Sequence, residues 1–208
     1  GVQNPGEPGI DRITVDLYFA GADGVFQSNE LLAPLLSTTT SNGGFYVFDN
    51  LAAGTYRLRF GNTDGSTTYA LTTQNSPMAT DVTDSDVSAG NGFSGNYILG
   101  LGESNTTVDA GLYRPVSPGD RIYFDYDGDG VQDTGEPGLP NMPVEVIWLG
   151  PDGLLGGGDD RTYTTATGTD GTWSIDDLPP GSYLVTATPA PGSGLAVTDS
   201  MDNALLDP

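Results

Sequence analysis

Apolar and polar residues alternate with a period of two along much of this chain. Tyr56, Leu58 and Phe60 alternate with Arg57 and Arg59, and Tyr46 and Phe48 flank Val47 in the same way. That rhythm predicts strands with one buried and one solvated face. Runs of this kind, separated by turn residues, place strands at 12–19, 37–41, 44–48, 55–60, 94–99 and 107–113. A second group follows at 120–124, 143–149, 161–167, 171–175 and 182–188. Only residues 29–36 read ambiguously as helix, and Pro34 interrupts them. The expected fold class is all-β.

The two groups are copies of one unit. Gly1 to Ile10 parallels Gly130 to Leu139, Gly44 to Leu51 parallels Gly171 to Leu178, and Ala52 to Tyr56 parallels Pro179 to Tyr183. Val15-Asp16-Leu17 likewise answers Val144-Glu145-Val146, and Ala22-Asp23-Gly24 answers Pro151-Asp152-Gly153. The register drifts by only two residues, so the chain reads as two tandem immunoglobulin-like β-sandwich modules, 1–115 and 116–208. The Pro-rich stretch Arg114 to Gly119 is a short, stiff connector. Trp173 and Tyr46 fall at matching core positions. Tyr56 and Tyr183 also match, each expected to bury its ring and hydrogen-bond its hydroxyl to the backbone.

Composition narrows the function. Twenty-eight acidic residues face six basic ones, all arginine, for a net charge of −22, and there is no Lys, His or Cys. Such a field repels nucleic acid and anionic membranes and attracts divalent cations. No apolar run approaches the roughly 20 residues a membrane span needs, so no direct membrane insertion is expected. The commonest catalytic bases and nucleophiles are absent, and no glycine-rich phosphate loop opens a helix, so no enzyme is expected. A carboxylate pair of glycosidase type is formally available, but the carboxylates cluster with the spacing of a metal loop.

That loop runs from Asp125 to Glu136 and matches D-x-[DN]-x-[DN]-G-x5-E. Asp125, Asp127 and Asp129 hold positions 1, 3 and 5, and Gly130 makes the sharp turn at position 6. Val131 offers a carbonyl, Asp133 binds directly or through water, and Glu136 closes the site with two oxygens. Ca²⁺ is the expected ion, since it takes about six to eight oxygen ligands. The flanks are β-formers before and Pro137, Gly138, Pro140 and Pro143 after, so the loop joins strands. A structural ion follows, not a helix-opening sensor. Millimolar calcium outside cells favours an extracellular location, at a cell surface or secreted. Val2, Asn4 and Glu7 form the second half of a matching loop whose first five positions are not in this sequence. Alone they would bind weakly. The acidic, glycine-rich stretch Asp152 to Asp160 reads as a flexible hairpin tip, with a second cation site as the alternative.

Gly119 to Leu139, together with Leu178-Pro179-Pro180-Gly181-Ser182-Tyr183, resembles an SdrD B-type repeat of bacterial surface adhesins. So do Asp84-Ser85-Asp86 and Asp109-Ala110-Gly111-Leu112-Tyr113. The resemblance implies a CnaB-like β-sandwich, several Ca²⁺ per module and service as a stiff stalk. It also implies that Asp84 and Asp86 are ligands, a solvated turn being the alternative. Asp199 and Asp202 would answer them in the second copy, where Ser200-Met201 departs from the motif. The lysine-dependent isopeptide crosslink of CnaB domains is impossible here, because the chain has no lysine.

Three readings follow. The first is a calcium-stiffened extracellular stalk, spacer or fibre whose partners are neighbouring repeats. The second is a self-assembling filament of identical subunits completed by strand exchange, suggested because neither unit carries all the strands of the other; a cut through a longer repeat array would leave the same ends. The third is a carbohydrate- or protein-binding adhesion module, which requires an exposed aromatic patch.

Overall fold

A computed structural model describes residue 3 and residues 6–75 and 84–188. Val2, Asn4, Asp199 and Asp202 lie outside the described residues. The chain divides into two compact units, Gly1–Arg114 and Pro115–Pro208. Both are built from short antiparallel strands, and the described residues contain no α-helix.

In the first unit β1 (Thr14–Phe19), β2 (Leu36–Thr39), β3 (Gly54–Phe60) and β5 (Tyr97–Leu99) form one sheet in the order β2-β1-β3-β5. A second layer contains the short pair β4 (Ala70–Leu71) and β6 (Leu112–Tyr113). Val15, Leu17, Tyr56, Leu58, Phe60 and Val87 are buried between the layers, with Tyr46, Phe48, Val108 and Ala110 packed on them. Burying each large side chain contributes roughly 1.5–3 kcal/mol. The alternation expected of 55–60 is present: Tyr56, Leu58 and Phe60 face inward while Arg59 is exposed. Arg57 and Arg59 lie over the rings of Phe26 and Phe93.

The second unit repeats the main sheet. β8 (Pro143–Trp148), β9 (Arg161–Ala166) and β11 (Tyr183–Ala187) pair in the order β11-β8-β9 over Val144, Val146, Leu178 and Tyr183. Across from them β7 (Gly119–Arg121) pairs with β10 (Thr172–Ser174). Trp173 and Ile175 pack on the core from that side.

Two expectations need correction, and one ambiguity is resolved. Residues 44–48 do not form a strand: Phe45 makes a single bridge to Ser41, and Phe45 and Val47 stay exposed. Their counterpart β10 is a strand because β7 pairs with it, and no described residue does the same for 45–48. The strand expected at 107–113 is ladder-paired only at Leu112–Tyr113, against the unforeseen Ala70–Leu71. Residues 28–31 form a 3-10 turn where the sequence was ambiguous.

The duplication extends to hydrogen bonds. Thr40 Oγ1 donates to Ile10 O at 2.6 Å and accepts from Ile13 N at 2.9 Å. Thr167 Oγ1 does the same with Leu139 O and Met142 N, at 2.5 and 2.9 Å. Each threonine is buried and ties the entry of the first main-sheet strand to its neighbour. The matched tyrosines behave as expected: Tyr56 Oη donates to Ala52 O at 2.8 Å, and Tyr183 Oη donates to Pro179 O.

Candidate metal centre

The loop from Asp125 to Glu136 is the tip of a small antiparallel hairpin. Tyr123 bridges Gly138, Phe124 N donates to Pro137 O at 2.9 Å, and Leu139 N donates to Ile122 O at 2.8 Å. The β-rich flank and the prolines therefore bring residues 124 and 137 together and oblige the intervening twelve to close on themselves. Arg121 holds the base. Its guanidinium donates to Glu136 O at 3.0 Å and to Asp170 O at 2.9 Å, joining the loop exit to a turn of the main body.

Inside the loop the carboxylates are aimed by backbone N–H groups. Asp125 accepts from Gly128 N at 2.7 Å and Gly130 N at 2.9 Å, and Asp129 accepts from Val131 N at 2.7 Å. Glu136 Oε1 accepts from Tyr126 N at 2.9 Å and Oε2 from Asp133 N at 3.0 Å. Gly130, at the sixth position, has φ 78, a left-handed conformation that a side chain would resist. Glu136 is only 7% exposed, whereas Asp127, Asp129 and Asp133 face solvent.

These constraints make two groups whose ligand oxygens all lie within 4.8 Å of one another: Asp125, Asp127 and Glu136, and Asp127, Asp129 and Asp133. Asp127 belongs to both. The electrostatics agree with a site of concentrated negative charge. Hydrogen bonds from Gly130 and Gly128 hold the Asp125 carboxyl below the usual aspartate range. Desolvation, then the charges of Asp125 and Glu136, push the Tyr123 phenol up. An all-oxygen donor set of this density fits a hard divalent cation of calcium size.

Asp84 and Asp86 are brought together elsewhere, in the first unit. They are 8% and 6% exposed, and Asp84 Oδ1 is buried without a hydrogen-bond partner. Asp86 Oδ2 accepts from Asp109 N at 2.9 Å, while Asp86 N donates to Asp109 O at 2.9 Å. Both aspartates line an open cavity of about 330 Å³ with Gln74, Asn75, Asn96 and Tyr97. Nearby, Tyr46 Oη donates to Val108 O at 2.6 Å; burial, then Asp109 and Asp86, raise its pKa far above the ordinary phenol value. Asp84 and Asp86 are thus buried and not in the solvated turn given as the alternative. Glu7 is exposed, and the structure joins it to none of the three-carboxylate groups.

Sequence reasoning missed Arg121 as the clasp of the loop. Its position before the apolar Ile122 was legible, but its partners are carbonyls distant in sequence, for which no motif exists.

Comparison with known proteins agrees with the duplication. The SdrD B-like domain family matches residues 1–112 and 116–207. Serine-aspartate repeat-containing protein D of Staphylococcus aureus (strain NCTC 8325 / PS 47) is 30% identical over 205 residues, covering 98% of this chain and 13% of that protein. The same protein of strain Newman is 31% identical over 187 residues, with 89% and 12% covered. Serine-aspartate repeat-containing protein F of Staphylococcus epidermidis (strain ATCC 12228 / FDA PCI 1200) is 29% identical over 187 residues, with 89% and 10% covered. The chain therefore spans between 10% and 13% of the length of these relatives.

Proposed function

Because the chain belongs to the SdrD B-like domain family, we propose that it is a structural, non-catalytic pair of β-sandwich modules in an extracellular or cell-surface protein, stiffened by Ca²⁺. The observation that carries this reading is the pair of three-carboxylate groups sharing Asp127 at the tip of a hairpin braced by Arg121. Asp125, Asp127, Asp129, Asp133 and Glu136 with the Val131 carbonyl would hold the ion. Bound calcium offsets their mutual repulsion and couples its binding energy to the folding of the second unit. Asp84 and Asp86 supply a second candidate site, supported by the orphaned Asp84 oxygen, because a buried carboxylate oxygen without a donor calls for a compensating cation. A module of this kind serves as stalk, spacer or fibre among neighbouring repeats.

Single-molecule pulling on the whole chain tests the mechanical claim. The force that unfolds the second unit should fall when EGTA replaces calcium, and Asp127→Ala/Glu136→Ala should be low in both conditions. Equal force with and without calcium in the wild type would overturn the reading.

One observation favours strand completion as a second reading. Among the described residues none pairs with 46–48 as β7 does with β10, and Phe45 is 75% exposed, so an extended segment from a neighbouring repeat or identical subunit fits beside them. Sedimentation across a concentration series decides it: a monomer throughout, indifferent to a peptide of the sequence 117–124, removes this reading.

A further inference from the structure

We propose a cation site that is separate from both of those above, in the loop joining β8 to β9. The two strands pair from Pro143↔Ala166 to Trp148↔Arg161, and residues 149–160 close the hairpin. Asp152, Asp159 and Asp160 converge there. Both carboxylate oxygens of Asp159 and Oδ1 of Asp160 expose less than 1 Å² each and have no hydrogen-bond partner. Whatever exposure Asp159 retains therefore lies outside its carboxylate oxygens. A buried carboxylate oxygen without a hydrogen-bond donor is strongly disfavoured. Three such oxygens on adjacent residues point to a ligand that supplies positive charge.

The glycines show where it sits. A Cβ on Gly157 would lie 2.7 Å from Asp152 Oδ2 and 2.7 Å from Asp159 Oδ1, so both oxygens face the space that the missing side chain leaves. The other oxygens of the set orient the walls: Asp152 Oδ1 accepts from Leu154 N at 2.8 Å and Asp160 Oδ2 from Gly156 N at 2.7 Å.

The duplicated unit provides an internal control. In its corresponding hairpin Asp23 stands where Asp152 does, and its oxygens accept from Val25 N and Gln27 Nε2 at 3.0 Å each. Glu30 approaches Gly21 there as Asp159 approaches Gly150. The Glu30 carboxylate accepts from Gln27 N at 2.8 Å. The first unit thus satisfies its Glu30 carboxylate with a hydrogen bond, whereas the second leaves both Asp159 oxygens and Asp160 Oδ1 without donors. A hard divalent cation fits the all-oxygen set, and calcium suits a flexible loop better than the smaller, stricter magnesium. The oxygens of Asp152, Asp159 and Asp160 are not drawn within 4.8 Å of one another as those of residues 125–136 are. Capture of the ion therefore contracts the loop and moves the Gly156 to Gly158 backbone.

The test is a CaCl₂ titration of the isotopically labelled, calcium-stripped full chain, followed by amide resonances up to about 10 mM, the upper reach of weak extracellular sites. Gly156, Gly157 and Gly158 should shift along a saturable isotherm independent of that of Gly128 and Gly130. Asp159→Asn should weaken this isotherm at least about tenfold, about 1.4 kcal/mol. Gly157→Ala should do the same without altering any charge, because its methyl fills the space between the two oxygens. Gly128 and Gly130 should respond unchanged in both variants, which also shows that the variants fold. Static Gly156 to Gly158 resonances, or wild-type affinity in both variants, overturn the proposal. Silence at Gly128 and Gly130 alone would overturn the site at residues 125–136 and leave this one standing.

Discussion

Glu136→Gln separates calcium binding from the rest of the loop. The wild-type carboxylate accepts from Tyr126 N and Asp133 N with its two oxygens and is almost fully buried. Glutamine keeps the shape and one acceptor, but its amide turns a donor toward one of those N–H groups. That mismatch costs about 1–3 kcal/mol with or without calcium. The calcium-dependent part is of similar size and adds to it. Ion at about 100 times its Kd stabilises the folded unit by about 2.7 kcal/mol. With the two-oxygen carboxylate replaced by a single neutral oxygen, Kd rising about 100-fold would leave about 0.4 kcal/mol at the same calcium concentration. The difference, about 2.3 kcal/mol, corresponds to roughly 9–18 °C in Tm for a domain of this size. Both tryptophans, Trp148 and Trp173, lie in the second unit, so their fluorescence reports its unfolding selectively. Melts in calcium and in EGTA should differ widely for the wild type and narrowly for Glu136→Gln. An equal calcium-induced rise in both, or none in the wild type, refutes the reasoning.

Other consequences are testable by the same melts. Thr167→Val removes a buried hydroxyl that serves Leu139 O and Met142 N, and should destabilise by about 1–3 kcal/mol in calcium and in chelator alike. Leu58→Ala, at a buried position of the first unit, should cost about 2–5 kcal/mol and leave the tryptophan signal of the second unit less affected than its far-ultraviolet dichroism. Asp64, Asp125 and Asp170 all titrate below the ordinary aspartate range, held there first by the Ser66 hydroxyl, the Gly130 amide and the Thr172 hydroxyl respectively. Their folded pKa values are depressed, so their contribution is complete above about pH 4 and is lost as pH falls through the folded values. Asp64→Asn should flatten that acid-side loss in calcium-free buffer; an unchanged slope counts against it.

The main sheets were legible because their residues carry period-two alternation over long enough runs. Tyr56, Leu58 and Phe60 needed no partner to declare their face. Residues 44–48 carry the same alternation without forming a strand, since a strand exists only where another pairs with it, and pairing is not a local property. The grouping of carboxylates at 125–136 was legible because they lie within twelve residues at the spacing of a single motif. Arg121, Thr40 and Thr167 were not, because their partners are backbone carbonyls reached through the fold. The stretch from Asp152 to Asp160 was legible as acidic and glycine-rich. Its orphaned oxygens became visible only when the hairpin turned Asp159 inward.

The arginines of so acidic a chain are engaged chiefly by rings and carbonyls. Six arginines face 28 acidic residues, and several serve other ends. Arg57, Arg59 and Arg161 lie over the rings of Phe26, Phe93 and Trp148, and Arg121 donates to carbonyls. Arg12 approaches Asp64 at 3.8 Å, a loose pair on a largely exposed side chain that contributes at most about 1 kcal/mol. Protein cations are thus used chiefly as packing and hydrogen-bonding groups. On the proposed reading, the carboxylates of residues 125–136 and 152–160 would take ions from solution. Raising monovalent salt screens the general repulsion, but it does not reproduce the coordinated oxygens. Calcium should therefore stabilise the chain well beyond an equal ionic strength of NaCl. If NaCl matches it, the acidic loops act only through their bulk charge, and specific coordination at both of them is refuted.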